Sequence, residues 1–252
     1  MPEQPIKTSK RVFEILEAFE EVRRPMALKE FTQRFGYPAS SASALLKSLV
    51  ALGYLEYDRF SRTYLPTMRM ATLGNWVQQA LFGEGEVLRL MKQLSDEFGE
   101  TVTVGAQSDL FVQYMYLIPS VLPIWYAVPI GMTRPIARSA SGWMMLGARS
   151  DAEIEALVRR INFHERDPGR KIVLAELMAH IEQGRRQGYL FSRHTLEPGA
   201  GNIAVLLPDR RFGRAFSLGI HGPVERLERK AERIIAALRT GIAQLAHARA
   251  SV

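Results

Sequence analysis

The 252-residue sequence contains no cysteine. That removes disulfides, thiolate nucleophiles and cysteine-ligated zinc together. There is no run of 18 or more apolar residues, so no membrane-spanning helix and no membrane partner is expected. The N-terminus lacks a basic-then-apolar export pattern, and a cytoplasmic location is the expectation. Histidine is scarce: His164, His180, His194, His221 and His247 are scattered without metal-ligand spacing, so no metal or other cofactor is expected. No G-x-S-x-G nucleophile elbow occurs. Gly199-Ala200-Gly201-Asn202-Ile203-Ala204 formally matches G-x-G-x-x-A. It precedes a strand-like run instead of following one and opening a helix, so it reads as a turn. Glu97 and Glu100 read as solvated carboxylates at a helix end. The chemistry that an enzyme would need is missing.

One local absence is informative. Between Glu30 and Glu56 there is no carboxylate, while Arg34 and Lys47 lie inside the stretch. The overall charge of +7 divides evenly, +3 over residues 1–82 and +4 over residues 83–252, so no basic tail or block is pooled anywhere. Hydrophobic residues at 47% and charged residues at 23% are those of a globular chain with a packed core, long enough for two modest domains.

Within the first eighty residues, Val12, Ile15, Leu16 and Phe19 recur at helical spacing, in a helix expected to begin at Lys10 behind a Thr8-Ser9 cap. Leu28 to Phe35 reads as a second helix, broken by Gly36-Tyr37-Pro38. A third is expected from about Ser40 to Leu52, capped by serine and stopped by Gly53. Its apolar face is Ala42, Leu45, Leu46, Leu49 and Leu52; its other face carries Ser40, Ser41, Ser43, Ala44 and Lys47. The period then changes to two, and 54–58 and 63–66 read as strands joined by Arg59-Phe60-Ser61-Arg62. Three helices and a basic-tipped hairpin make a winged helix-turn-helix. A narrow, hydroxyl-rich helix start free of carboxylates can enter a major groove about 12 Å wide and offer donors to phosphates and base edges. Arg59 and Arg62 can follow the backbone. Docking of the winged helix on another protein is the alternative.

The segments TSKRVFEILEAF and LKEFTQRFGYPASSASALLKSLVALGYLEYD resemble the DNA-binding domain of the IclR family of bacterial transcriptional regulators. Gly36, Pro38, Ser40, Leu45, Leu46, Leu49, Gly53 and Tyr54 keep its pattern. Ala39 and Ala44 depart from it, standing where the family commonly has Lys and Arg. The resemblance implies that Ala39, Ser40, Ser41, Ser43, Ala44, Lys47, Arg59 and Arg62 face double-stranded DNA at a palindromic operator, in a homodimer or dimer of dimers. It implies residues 1–66 as the DNA-binding domain, 67–83 as a linker helix and 84–252 as an effector-binding domain.

In that last stretch helices are expected at 86–98, 139–147, 151–160, 174–187 and 224–248. Strands are expected at 101–107, 110–117, 203–208 and 214–221. Mixed in this order they argue for an α+β fold with an antiparallel sheet. GMTRPIARSASGWMMLG, RRQGYLFS, PGAGNIAVLLPD and LGIHGP resemble later elements of the same family, in order, which implies a GAF/profilin-like effector domain. The small-molecule effector site implied by the resemblance comprises Tyr126, Ala140, Ser141, Ser192, Asn202, Gly219 and His221. Ala140-Ser141, small residues at a helix start, suit a carboxylate. Trp125, Tyr126, Tyr114 and Tyr116 suit either an aromatic acid or a plain core.

Overall fold

The computed structural model describes residues 6–82, 85–123, 131–208 and 213–250. The chain separates into two compact units, dividing between Ala80 and Leu81.

The first unit orders α1 (Lys7–Val22), β1 (Met26–Ala27), α2 (Leu28–Phe35), α3 (Ala39–Ala51), β2 (Leu55–Asp58), β3 (Thr63–Pro66) and α4 (Met68–Phe82). Apolar residues at helical spacing converge: Ile15, Ala18 and Phe19 of α1, Phe31 of α2, and Leu46 and Leu49 of α3 share one core with Met26, Leu55 and Tyr64. The three strands form an antiparallel sheet in the order β1-β3-β2. This is a winged helix-turn-helix, as expected.

Its details correct the sequence reading at three points. α1 begins at Lys7, and neither Thr8 nor Ser9 caps it; both are inside the helix. α3 begins at Ala39 behind Pro38, with no serine cap, because the fixed φ of proline already sets the entry. Leu52 is 58% exposed instead of completing the apolar face. It ends the helix, and Gly53 at φ +76° then reverses the chain into the wing. Glu30, which borders the carboxylate-free stretch, has a structural task. It accepts the Ala27 N–H at 2.8 Å at the start of α2 and a guanidinium hydrogen of Arg24 at 2.7 Å.

The second unit runs through α5 (Glu86–Phe98), β4 (Thr101–Ser108), β5 (Phe111–Ile118), β6 (Thr133–Pro135), α6 (Ala140–Gly147), α7 (Asp151–His164), α8 (Leu174–Gln187), β7 (Leu190–Arg193), β8 (Ala200–Leu206), β9 (Phe216–Pro223) and α9 (Val224–Ala250). The strands make one antiparallel sheet in the order β6-β5-β4-β9-β8-β7. α6 packs on one face, backed by α8; α9 packs on β8 and β9, and α5 on β4, β5 and α9, with Val87, Leu90, Met91, Leu94 and Phe98 of α5 buried. The α+β class with an antiparallel sheet is as expected. β6 and β7 are additions to the expected strands, α7 extends to His164, and Ala200–Ala204, read as part of a turn, already belong to β8.

Glu100 is not the solvated carboxylate expected. Its side chain has no exposure and lies in a bidentate pair with Arg226, Nε to Oε1 and Nη2 to Oε2 both at 2.6 Å, with Lys230 at 3.3 Å. Arg226 also donates to Pro123 O, and Lys230 to Phe98 O, each at 2.9 Å. The cluster ties α9 to the start of β4 and to the segment after β5.

Candidate functional sites

The first candidate is the start of α3 with the wing. Ala39, Ser40, Ala44 and Lys47 are exposed and Ser41 and Ser43 half-buried, so the small, carboxylate-free face is turned outward. No side chain caps its first N–H groups, which stay available to an anion. Ser41 is engaged: its Oγ accepts a hydrogen bond from Arg11 Nη1 at 3.0 Å. Arg11 also lies over the Tyr37 ring, 4.6 Å from its centroid. Burial, followed by the hydrogen bond to Glu14, pushes the Tyr37 phenol up to about 12. Arg11 is thus a cation at this face that sequence reasoning missed; helical spacing brings α1 to α3, but not this contact. Arg34 is paired with Glu21.

Arg59 and Arg62 are exposed at the wing tip. The turn between them is built by Asp58. Its carboxylate accepts the Phe60 N–H at 2.9 Å and the Ser61 hydroxyl at 2.6 Å, and those bonds hold its pKa below the usual carboxylate value. Arg62 takes the left-handed conformation that completes the reversal.

The second candidate lies on the α6 face of the large sheet. Antiparallel register puts Thr101, His221, Asn202 and Ser192 in one row across β4, β9, β8 and β7. α6 lies over this row. Asn202 Nδ2 donates to Ser141 Oγ at 2.9 Å, and the Ala140 N–H donates to Ser192 Oγ at 3.2 Å. Ser141, Ser192, Asn202 and Ala140 are all buried. The structure therefore brings together Ala140, Ser141, Ser192, Asn202, Gly219 and His221; Tyr126 lies outside the described residues. A Cβ on Gly219 would stand 2.8 Å from Asn202 Oδ1, 3.1 Å from Ser141 Oγ and 3.2 Å from His221 Nε2, so the absence of a side chain here is what lets these polar atoms come together.

The expected carboxylate cradle at the start of α6 needs revision. Three of its first N–H groups are already used, Ala140 by Ser192 Oγ, Gly142 by the Ser139 cap and Trp143 by Ser139 O. The cation at this site is instead Arg134, beside Tyr114 and His221 on the wall of a cavity of about 40 Å³. Its guanidinium pairs with Glu197 at 3.2 Å. Arg134 stands inside the motif quoted from the sequence, but the motif also holds Arg138, and nothing in the sequence distinguishes the two.

His221 keeps some accessible surface because it lines this cavity, yet protein encloses it. Burial first, and the Arg134 charge second, lower its pKa to about 3. The ring is neutral, with Nε2 2.8 Å from Thr103 Oγ1. Burial raises the Tyr114 phenol to about 12, with Arg134 opposing. The site thus holds one ion pair, Arg134 with Glu197, neutral polar groups and an orphan: Asn202 Oδ1 is buried with no hydrogen-bond partner among the described residues.

Comparison with known proteins agrees with both halves. Residues 9–59 match the model of the IclR helix-turn-helix domain, and residues 85–247 match that of the bacterial transcriptional regulator IclR C-terminal domain. The HTH-type transcriptional regulator KdgR of Escherichia coli (strain K12) is 28% identical over 233 residues, covering 91% of this chain and 88% of KdgR. The transcriptional repressor IclR of the same organism is 23% identical over 236 residues, 88% of this chain and 82% of the repressor. The crystal structure of the effector domain of a putative transcriptional regulator IclR from Acinetobacter sp. ADP1 is 32% identical and superposes with a TM-score of 0.62, covering 66% of this chain and 97% of that domain. The Thermotoga maritima IclR structure, 18% identical, shares the fold with a TM-score of 0.70 over 94% of this chain and 98% of its own.

Proposed function

This chain belongs to the IclR family of bacterial transcriptional regulators, a DNA-binding family, and we propose that its operator binding is switched by a small organic acid held on the α6 face of the sheet. Residues 1–66 bind DNA, 67–83 link, and 84–252 sense. Two copies, or a dimer of dimers, place two α3 helices in successive major grooves, about 34 Å apart. Ala39, Ser40, Ser41, Ser43, Ala44 and Lys47 face the groove, and Arg59 and Arg62 face the flanking backbone. Ala140, Ser141, Ser192, Asn202, Gly219 and His221 contact the effector, with Tyr126 from the segment outside the described residues. Arg134 takes the carboxylate.

The observation that carries the sensing half is the buried Asn202 Oδ1, without a hydrogen-bond partner among the described residues, in the wall of the cavity that Arg134 and His221 also line. An orphan buried polar atom costs about 1–3 kcal/mol, and a bound ligand removes that cost. The cavity of about 40 Å³ holds only a few waters. An effector of any size therefore requires the Arg134–Glu197 pair to part, its carboxylate replacing that of Glu197. Such an exchange gives the ligand a differential affinity for two arrangements, which is what a switch requires. Typical couplings are about 1–3 kcal/mol.

The test is a thermal-shift screen of short hydroxy, keto and aromatic carboxylic acids on the wild-type chain and on Arg134→Ala. An acid that raises the wild-type melting temperature and leaves the variant unmoved supports the reading. Equal shifts in both place the carboxylate elsewhere.

A further inference from the structure

Phe60 has a place in the fold that the recognition-helix account leaves unused. Its side chain is 100% exposed, the most exposed of the large apolar side chains in the described residues. A lone exposed apolar side chain is ordinary on a protein surface; this one differs in where and how it is held. It stands at the tip of the β2–β3 hairpin, between the exposed Arg59 and Arg62. The tip is not a slack loop. Asp58 accepts hydrogen bonds from the Phe60 N–H and the Ser61 hydroxyl, Ser61 Oγ lies 2.7 Å from Thr63 Oγ1, and Arg62 is fixed at φ +55°. Below it Tyr57 and Tyr64 pack across the strands, ring centroids 4.7 Å apart. The hairpin is therefore braced along its length, and the ring projects from a rigid base. Of the nearby carboxylates, Asp58 is occupied within the turn, and Glu56 lies further down β2, exposed.

We propose that Phe60 is a wedge that enters the DNA minor groove beside the major groove occupied by α3 and partly unstacks a base step there, with Arg59 and Arg62 holding the phosphates on either side. The proposal rests on the DNA-binding reading of this domain. Minor-groove proteins use the same combination: cations that follow the groove walls and an apolar side chain pushed between base pairs, which kinks the duplex toward the major groove. The groove is about 6 Å wide, and the tip of a turn carrying one flat ring can enter it. A kink would also supply specificity at flexible pyrimidine–purine steps that no side chain reads directly. That matters here, because α3 has alanine at the two positions where the family commonly carries Lys and Arg.

The experiment uses the full-length chain and a duplex that it selects from a random library, labelled with 2-aminopurine at successive steps flanking the selected core. On the wild-type complex, one step on the wing side should brighten as its base unstacks. Phe60→Ala should abolish that signal, weaken binding about tenfold, as loss of one aromatic–base stack does, and leave the slope of log K against log salt unchanged, because no charge is lost. Phe60→Trp should keep both signal and affinity. Arg59→Ala should instead flatten the salt slope by about one. Melting temperature should not move for either Phe60 variant, since the ring packs on nothing. Wild-type affinity and fluorescence in Phe60→Ala overturn the wedge while leaving DNA binding by α3 in place. A Phe60→Ala chain that binds normally but no longer self-associates assigns the ring to a protein contact, which also overturns it. A wild-type chain that selects no duplex at all removes the wedge together with the reading beneath it.

Discussion

His221 shows how a single residue's environment sets its chemistry. Its imidazole would titrate near neutrality in water, but burial between β4 and α6 lowers its pKa to about 3. The unfolded chain therefore binds a proton that the folded chain refuses, and stability rises with pH across the gap. The contribution is complete above about pH 6.5 and is lost as pH falls from there toward 3. Melting temperatures measured between those limits should drop steadily in the wild type and less steeply in His221→Gln. At Gly219 the expected outcome is a loss of ligand response without loss of fold. An added Cβ meets Asn202 Oδ1 at 2.8 Å, so Gly219→Ala should erase any effector-induced thermal shift while DNA affinity is retained. Glu100 was illegible in the sequence for a physical reason. Its burial depends on Arg226, 126 residues away, and on Gly222, whose Cβ would stand 2.6 Å from Glu100 Oε2. Removing the carboxylate leaves two cations facing a buried gap, and urea denaturation of Glu100→Ala should show a loss of about 3–5 kcal/mol.

Elements long enough to display a period were readable: α2, α5 and α8 fall where apolar spacing puts them, and α6 starts one residue after Ser139, its cap. Short ones were not. β1 has two residues and β6 three, too few for an alternation to appear, and both exist because a neighbouring strand offers an edge. β4 and β9 are buried on both faces, yet they alternate: Val102, Val104, Phe216, Leu218 and Ile220 point one way and Thr101, Thr103, Ser217, Gly219 and His221 the other; only pairing reveals that Thr101, His221, Asn202 and Ser192 line up in one row. Of the residues that the family pattern offered for an effector, Ser192, Asn202, Gly219 and His221 lie on the strands of that row and Ala140 and Ser141 on the helix above it, Tyr126 lies outside the described residues, and Arg134 and Thr103 needed the fold to be seen. For α3 the exposed alanines make a direct forecast. Ala39→Lys with Ala44→Arg should tighten DNA binding and steepen the salt slope by about two, one per added phosphate contact, as measured by anisotropy across a salt series. An unchanged slope would mean that these positions do not face the backbone.

For the molecule as a whole, the proposal divides the work between a DNA-reading unit and a sensing unit, and α4 is the helix that begins at the wing. Its first turn is fixed there: the Thr67 N–H donates to Tyr54 O at 3.0 Å and the Thr67 hydroxyl to Gly53 O at 2.6 Å. Arg69 lies over the Tyr54 ring, 5.1 Å from the centroid. A displacement of α4 would thus carry the wing with it. The central claim is that the carboxylate-free tip of α3 reads duplex DNA, and the most direct measurement is binding of the full chain to its selected duplex and to a scrambled one between about 50 and about 200 mM salt, for wild type and Lys47→Glu. The account expects wild-type affinity to fall log-linearly with salt, and discrimination between the two duplexes to collapse in Lys47→Glu. Salt-insensitive binding, or a Lys47→Glu chain that still distinguishes the duplexes as well as wild type, would contradict it.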